Sequence, residues 1–192
     1  PSDLNECDAW LITGSRHDAY SDIPWILALR DWIRRAHDAN VKLAGICFGH
    51  QVIAQALGGE VVKSTKGWGL GVSVHPMQEA KPWMQPGLET IRILASHQDQ
   101  VAQLPPGATL LAGNDFCPNF MFLQGDHIVA IQGHPEFSVE YNRALIERRR
   151  DRLPDEHYQS SLSSLEGEVD SATMMQWLLQ FLGMLPVGPA VR

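Results

Sequence analysis

The chain has 192 residues, the size of one domain, and its 44% hydrophobic and 19% charged content suits a soluble protein with a substantial core. A net charge of −7 argues against nucleic acid as a partner, because phosphate binding needs a dense basic surface. No apolar run is long enough to span a bilayer and no signal-peptide pattern stands near Pro1, so the expectation is a cytoplasmic address without a membrane partner.

In chain order, Ala9 to Thr13 is a short apolar run ending at Gly14, which predicts a buried strand. Ser21-Asp22 offers a helix cap ahead of Pro24, and Trp25, Leu29, Trp32 and Ala36 follow at helical spacing as the face to bury. Val41 to Ile46 predicts a second buried strand that runs into Cys47. Gln51 to Leu57 continues as a helix stopped by Gly58-Gly59. Short extended pieces are expected around 60–63, 70–75, 90–95, 109–113, 119–123 and 127–132, broken by Gly and Pro. Ser138 should cap a helix running to about Arg150. A polar helix is expected near 155–165 and another from Ser171 to Leu182, with Met174, Trp177, Leu178 and Phe181 as its buried stripe. Arg148-Arg149-Arg150 with Arg152 reads as a solvated helix face, interrupted by Glu147 and Asp151. Strands alternating with helices predict an α/β fold with a parallel sheet, and the middle of the chain adds an antiparallel section.

Three cysteines, Cys7, Cys47 and Cys117, cannot all pair and lack metal-ligand spacing, which fits free thiols in a reducing compartment. Cys7 and Cys117 read as small packing residues. Cys47 differs, because Gly45-Ile46-Cys47-Phe48-Gly49 is a cysteine form of the G-x-S-x-G turn that presents a nucleophile between strand and helix. First-turn N–H groups and the helix dipole favour its thiolate. The Phe48 N–H points where a carbonyl oxygen would become negative. His134 follows the apolar strand Ile128 to Ile131, and Glu136 is near enough to orient its ring, completing a Cys47–His134–Glu136 relay. Attack by the thiolate on an amide carbonyl, protonation of the leaving amine by His134 and hydrolysis of the acyl-enzyme follow. No cofactor and no metal are implied. His17, His37, His75, His127 and His157 form no ligand spacing and read as surface residues.

The chain also resembles the class I glutamine amidotransferase family of the triad type. The likeness rests on Ile12 to Ser15, Gly45 to Gln51, Ala56 to Gly59, Ser96 to Val101 and Gln132 to Phe137, which occur in the family's order over about residues 9–150. It is nearest to stand-alone members similar to the glutaminase half of GMP synthetase, γ-glutamyl peptidases included, and Lys66-Gly67-Trp68-Gly69-Leu70-Gly71 adds to it. The resemblance implies a flavodoxin-like, mostly parallel sheet flanked by helices, and cleavage of a γ-glutamyl amide through a thioester. By position it makes Cys47 the nucleophile, His134 the base and Glu136 its orienting acid, with Gly14 and Phe48 as oxyanion donors. Gln51 and the loop carrying Ser96, His97 and Asp99 would hold the glutamyl head group. Asp99 suits an α-ammonium, and it would equally cap a helix from Gln100 to Leu104; His97 and His50 read as supporting residues.

Residues 1–152 would form the catalytic domain and 153–192 a helical extension packed on it. Relative to the family, a first strand and helix would be missing upstream of Ala9, which predicts a truncated chain and a gap in its sheet. Substrate alternatives remain glutamine, with ammonia passed to a synthetase partner, and a γ-glutamyl peptide cleaved for its own sake. In other classes stand a DJ-1-like cysteine sensor or chaperone, and a regulatory protein that binds glutamine without turning it over.

Overall fold

The computed structural model describes residues 3–188; Pro1, Ser2 and the last four residues of the expected extension lie outside the described residues. A central five-stranded sheet is built from β1 (Trp10–Ile12), β2 (Leu43–Ile46), β9 (Ile128–Ile131), β8 (Met121–Gln124) and β7 (Ala108–Ala112), in that spatial order. β1, β2 and β9 run parallel, and β8 and β7 add two antiparallel junctions. The sheet is therefore mixed. Its parallel half comprises β1, β2 and β9.

The expected gap does not exist. β1 pairs directly with β2, Trp10 opposite Leu43 and Ile12 opposite Gly45. Any further strand on this side has only the outer edge of β1 to pair with, where Leu11 is 44% exposed. The physical reason is that β1 and β2 are adjacent parallel neighbours whose ladder closes without an intermediary.

Both faces of the sheet are covered, and the side chains sort by the period of two. Leu43, Ile128, Ala130 and Phe122 point to the face occupied by α1 (Pro24–Asp38) and α2 (Phe48–Ala56). Ala44, Ile46, Val129, Ile131, Met121 and Leu123 point to the other face, where α5 (Ser171–Phe181) packs. On α5 the expected stripe of Met174, Trp177, Leu178 and Phe181 is buried as one row. Two hairpin-like pairs flank the sheet: β3 (Glu60–Lys63) with β6 (Asp99–Gln103), and β4 (Gly69–Pro76) with β5 (Thr90–His97), both antiparallel. The helices α3 (Val139–Glu147) and α4 (Asp155–Ser164) close over β4 and β5 through Ile146, Leu153 and Leu165.

Local signals are mostly obeyed, with instructive departures. Ser138 caps α3 by accepting the Tyr141 N–H at 3.1 Å, although α3 ends at Glu147 and a short 3-10 turn follows at 150–152. Neither Ser21 nor Asp22 caps α1. Its N-cap is Ile23, with no side-chain bond, and Pro24 opens the helix because its missing N–H costs nothing there. The buried face of α1 is Ile26, Trp32, Ile33 and Ala36, turned from the expected stripe, so Trp25 is 43% exposed. Residues 100–103 belong to strand β6, not a helix, because Val61 and Val101 pair across the β3–β6 ladder and bury each other.

His75 and His127 are buried, contrary to the surface reading. His75 stacks on Phe120 at 3.5 Å between ring centroids and meets Ser73 Oγ at 2.7 Å, and burial pushes it down to about 3. His127 Nε2 meets His37 Nδ1 at 2.8 Å as the two rings stack. Cys7 is exposed and so is no packing residue, whereas Cys117 is buried as expected. Among the described residues, no helix is long and apolar enough to cross a membrane.

Candidate active site

Three adjacent parallel strands end on the same side of the sheet, and each delivers one element of the site. β1 leads into Gly14, β2 into Cys47 and β9 through Gln132-Gly133 into His134. Carboxyl ends of parallel strands are where open α/β sheets gather ligands. A Cβ built on Gly14 would lie 3.2 Å from His134 Cε1 and 3.9 Å from Cys47 Cβ, so the three are in contact range.

Cys47 has φ 54 and ψ −101, a left-handed conformation that a residue with a Cβ adopts only at a cost of about 1–3 kcal/mol. The surrounding bonds hold it there. Its N–H donates to the Ile131 carbonyl at 2.9 Å, and its carbonyl accepts from Gln51 N at 3.0 Å as α2 begins. The flanking glycines are sterically required. A Cβ on Gly45 would lie 2.6 Å from the Gly49 carbonyl carbon, and one on Gly49 would lie 2.9 Å from that of Ile12. Phe48 opens α2, so its N–H has no carbonyl within the helix to bond.

His134 is buried, its N–H bonded to the Leu94 carbonyl at 2.8 Å and its ring stacked on Phe137 at 3.9 Å between centroids. Its Nδ1 stands 2.7 Å from Glu136 Oε1. Burial opposes a charge on this ring, but the neighbouring Cys47 thiol and the Glu136 carboxylate together overcome it and raise His134 to about 9. The ring therefore favours its protonated form more than a free imidazole does. Cys117 is the contrast: burial pushes its thiol up to about 12, with Lys66 opposing, so it is inert.

Cys47 lies at the meeting of two clefts. The first, about 380 Å³, is lined by Asp18, Tyr20, Gln51, Lys63, Ser96, His97 and Asp99. It brings together every expected head-group residue, in different states. The Gln51 amide is committed to structure, donating to the Asp99 carbonyl at 2.8 Å and to Gln132 Oε1 at 3.0 Å. His97 is buried and pushed down to about 4, chiefly by burial, so it is neutral; its Nδ1 lies 3.2 Å from the Asp99 carbonyl. Burial and Asp18 raise the Asp99 carboxyl, with Lys63 and Tyr20 opposing. His50 lies behind the site against Phe122, its Nε2 2.8 Å from the Asn119 carbonyl, and burial pushes it down to about 3. It is a supporting residue.

The second cleft, about 410 Å³, is lined by Gly14, His134, Glu136, Phe137, Tyr141 and Leu145, and the two clefts share Ser15, Arg16, Ser96 and Arg149 beside Cys47. Asp18, Tyr20, Lys63, Arg16, Trp68 and Arg149 were not among the sequence candidates for the site. Trp68 alone had a signal, in the Lys66-Gly67-Trp68 run. Arg149 was placed on a solvated face, but it is half-buried, with its guanidinium 4.4 Å from the Trp68 ring. Among the described residues, no group of three or more His, Cys, Asp or Glu side chains is arranged to hold a metal ion.

A strand-to-helix cysteine at the carboxyl end of parallel strand β2 thus stands beside a His–Glu couple that follows the adjoining strand β9. Residues 5–150 match the family model for class-I glutamine amidotransferases, and the chain belongs to that family. It is 40% identical over 151 residues to γ-glutamyl peptidase 4 of Arabidopsis thaliana and 35% identical over 153 residues to γ-glutamyl peptidase 3 of the same plant. These alignments cover 76% and 77% of this chain but only 60% and 61% of the relatives. It is also 38% identical over 99 residues to a chain of the glutamine-hydrolysing GMP synthase of Thermococcus kodakarensis, covering 50% of this protein and 52% of that one. In fold it matches a glutamine amidotransferase from Thermotoga maritima with a TM-score of 0.74 at 22% identity, over 90% of this chain and 77% of that one.

Proposed function

We propose that the chain carries the catalytic site of a γ-glutamyl amide hydrolase working through Cys47, His134 and Glu136. The observation that carries this reading is Cys47 in its strained turn beside a buried imidazole whose Nδ1 is 2.7 Å from Glu136. Each residue has a task. Cys47 attacks the γ-carbonyl carbon as its thiolate, beside the His134 imidazolium. The oxygen that becomes negative is met by the N–H groups of Gly14 and Phe48. As the tetrahedral intermediate collapses the C–N bond breaks, and the His134 proton goes to the departing nitrogen. Water, deprotonated by the now neutral His134, cleaves the γ-glutamyl thioester and releases glutamate. Glu136 holds the ring in orientation and offsets its charge.

The head group of the substrate suits the first cleft. Asp99 and Asp18 offer acceptors to an α-ammonium, and Lys63 a cation to an α-carboxylate. We place a γ-glutamyl peptide ahead of glutamine as substrate, since relatives named γ-glutamyl peptidases align over three quarters of the chain. The second reading is glutamine hydrolysis with ammonia passed to a synthetase partner, favoured by the likeness to the Thermococcus GMP synthase. A DJ-1-like sensor has no need of the His134–Glu136 couple. Free thiols at Cys7, Cys47 and Cys117 suit a reducing, cytoplasmic setting.

Incubation of the purified protein with glutamine and with a γ-glutamyl dipeptide, followed by glutamate release, tests the reading. Release by the wild type that is lost in Cys47→Ser is expected. Turnover of neither compound, or turnover that survives the substitution, overturns it.

A further inference from the structure

His134 must deliver its proton to the departing nitrogen, so the leaving group has to occupy the cleft that His134 lines. That cleft holds about 410 Å³. Ammonia, similar in size to a water molecule, fills about 30 Å³. The space is more than ten times what the product of glutamine hydrolysis needs. Its walls have a definite chemistry. Phe137 stacks on His134, Tyr141 packs edge-on against Phe137 at 4.7 Å between centroids, and Leu145 continues the apolar surface. Tyr141 is 52% exposed, so this aromatic wall is open to solvent.

Arg149 also lines this cleft, at the part it shares with the first. Two contacts hold its guanidinium: the Trp68 ring, and the Leu145 carbonyl, to which Nη1 donates at 2.9 Å. Yet among the described residues it has no carboxylate partner, whereas its neighbour Arg150 is paired with Asp155. Arg16, on the loop after β1, also borders the cleft and has no ion pair among the described residues. A planar cation that is anchored but unpaired, in a chain of net charge −7, is arranged to receive a carboxylate in two-point fashion.

We propose that this cleft is the leaving-group subsite and that Arg149, aided by Arg16, binds the free carboxylate of the departing amino acid or peptide. The inference rests on the catalytic reading above and deepens it. The substrate class is a γ-glutamyl compound whose amine half is an apolar-bodied amino acid or short peptide ending in a carboxylate. Glutamine fills the head-group cleft and leaves this one empty. Arg149 acts in specificity, gripping the leaving half while His134 protonates its nitrogen.

The test compares kcat/KM for γ-glutamyl-phenylalanine, for its C-terminal carboxamide and for glutamine, in the wild type, Arg149→Met, Arg149→Lys and Arg16→Met. A charge-assisted bond that the carboxamide cannot make predicts a preference of about tenfold or more for the free acid in the wild type. The preference should fall to about twofold in Arg149→Met and be kept in part by Arg149→Lys, which retains charge without the planar fork. Because it is a ratio within one enzyme preparation, partial misfolding of a variant does not disturb it. Glutamine should be turned over at least about tenfold less efficiently than the dipeptide, for want of the same bond. Equal rates on acid and carboxamide in the wild type, a preference that survives both Arg149→Met and Arg16→Met, or glutamine matching the dipeptide would each overturn the subsite while Cys47-dependent cleavage still stood. Failure to cleave any of the three compounds would instead remove the catalytic reading beneath it.

Discussion

Replacing Gly49 by alanine sets two physical effects against each other at the heart of the site. Gly49 lies in the first turn of α2, and helix propensity alone would favour alanine by up to about 1 kcal/mol. The structure reverses the sign. The new Cβ would overlap the Ile12 carbonyl, standing 2.9 Å from its carbon and nearer still to its oxygen, and that carbonyl belongs to β1 and not to a flexible side chain. Relief requires β1 and α2 to move apart, and overpacking of this kind costs about 1–3 kcal/mol. The net loss is about 1 kcal/mol, which lowers the urea midpoint by roughly 0.5 M for a slope of about 2 kcal/mol per M.

Function should suffer more than stability. Gly14 follows two residues after Ile12 and lies so near the His134 ring that an added Cβ would stand 3.2 Å from its Cε1, so displacing the end of β1 moves the proposed oxyanion donor. A misplacement of about 1 Å costs about 100-fold in rate. Equilibrium urea unfolding and γ-glutamyl dipeptide hydrolysis measure the two consequences separately. A midpoint equal to or above wild type, with full activity, would refute the steric argument, since propensity would then have won.

Other expectations concern the core and the buried titratable groups. Trp177 is fully buried and donates Nε1–H to the Pro86 carbonyl at 2.9 Å, so Trp177→Ala should cost about 3–5 kcal/mol in denaturant unfolding; a loss under about 1 kcal/mol would contradict its place in the core. His50 and His75 are held down to about 3 and His97 to about 4, mainly by burial, so the stability they confer is full above pH about 6.5 and drains away as pH falls towards 4. Urea midpoints that stay flat from pH 6.5 to 4.5 would contradict this. His134 has the opposite sign: raised to about 9, its stabilising charge is complete below about 6.5 and is lost as pH rises through about 9. Glu136→Gln should lower that value, seen by NMR titration of the ring, and slow hydrolysis on the order of 100-fold; an unmoved titration would show that Glu136 does not govern the imidazole.

Particular elements show where a linear reading works. The Cys47 turn was legible because its requirements are local: glycines where a Cβ would strike the next turn, and a strand running straight into a helix. The α5 stripe was legible because Met174, Trp177, Leu178 and Phe181 sit on one face whatever they meet. On α1 the expected face of Trp25, Leu29, Trp32 and Ala36 shares only Trp32 and Ala36 with the one that is buried. The packing partners of α1 select Ile26 and Ile33 for burial, leaving Trp25 to meet Phe48 and His17. Residues 99–103 carry no strong local preference, and the β3 ladder made them a strand. His75 and His127 looked like surface polar residues until partners distant in sequence, Phe120 and His37, covered them.

The residue types and short-range spacing of Cys47, His134 and Glu136 were enough by themselves to point to the proposed chemistry, because a strand-to-helix turn and a His–Glu couple are each defined within a few residues. Which groups surround that chemistry was decided by the tertiary structure. The sheet order β1-β2-β9 brings Gly14, Cys47 and His134 to one end of the parallel strands, although in sequence β9 follows β2 only after the β3–β6 and β4–β5 pairs and two further strands of the sheet. Packing of α3 over β4 and β5 then sets Arg149 against Trp68, turning a residue of a basic run into the wall of a cleft. Such placement depends on long-range packing, which no local pattern of residues encodes.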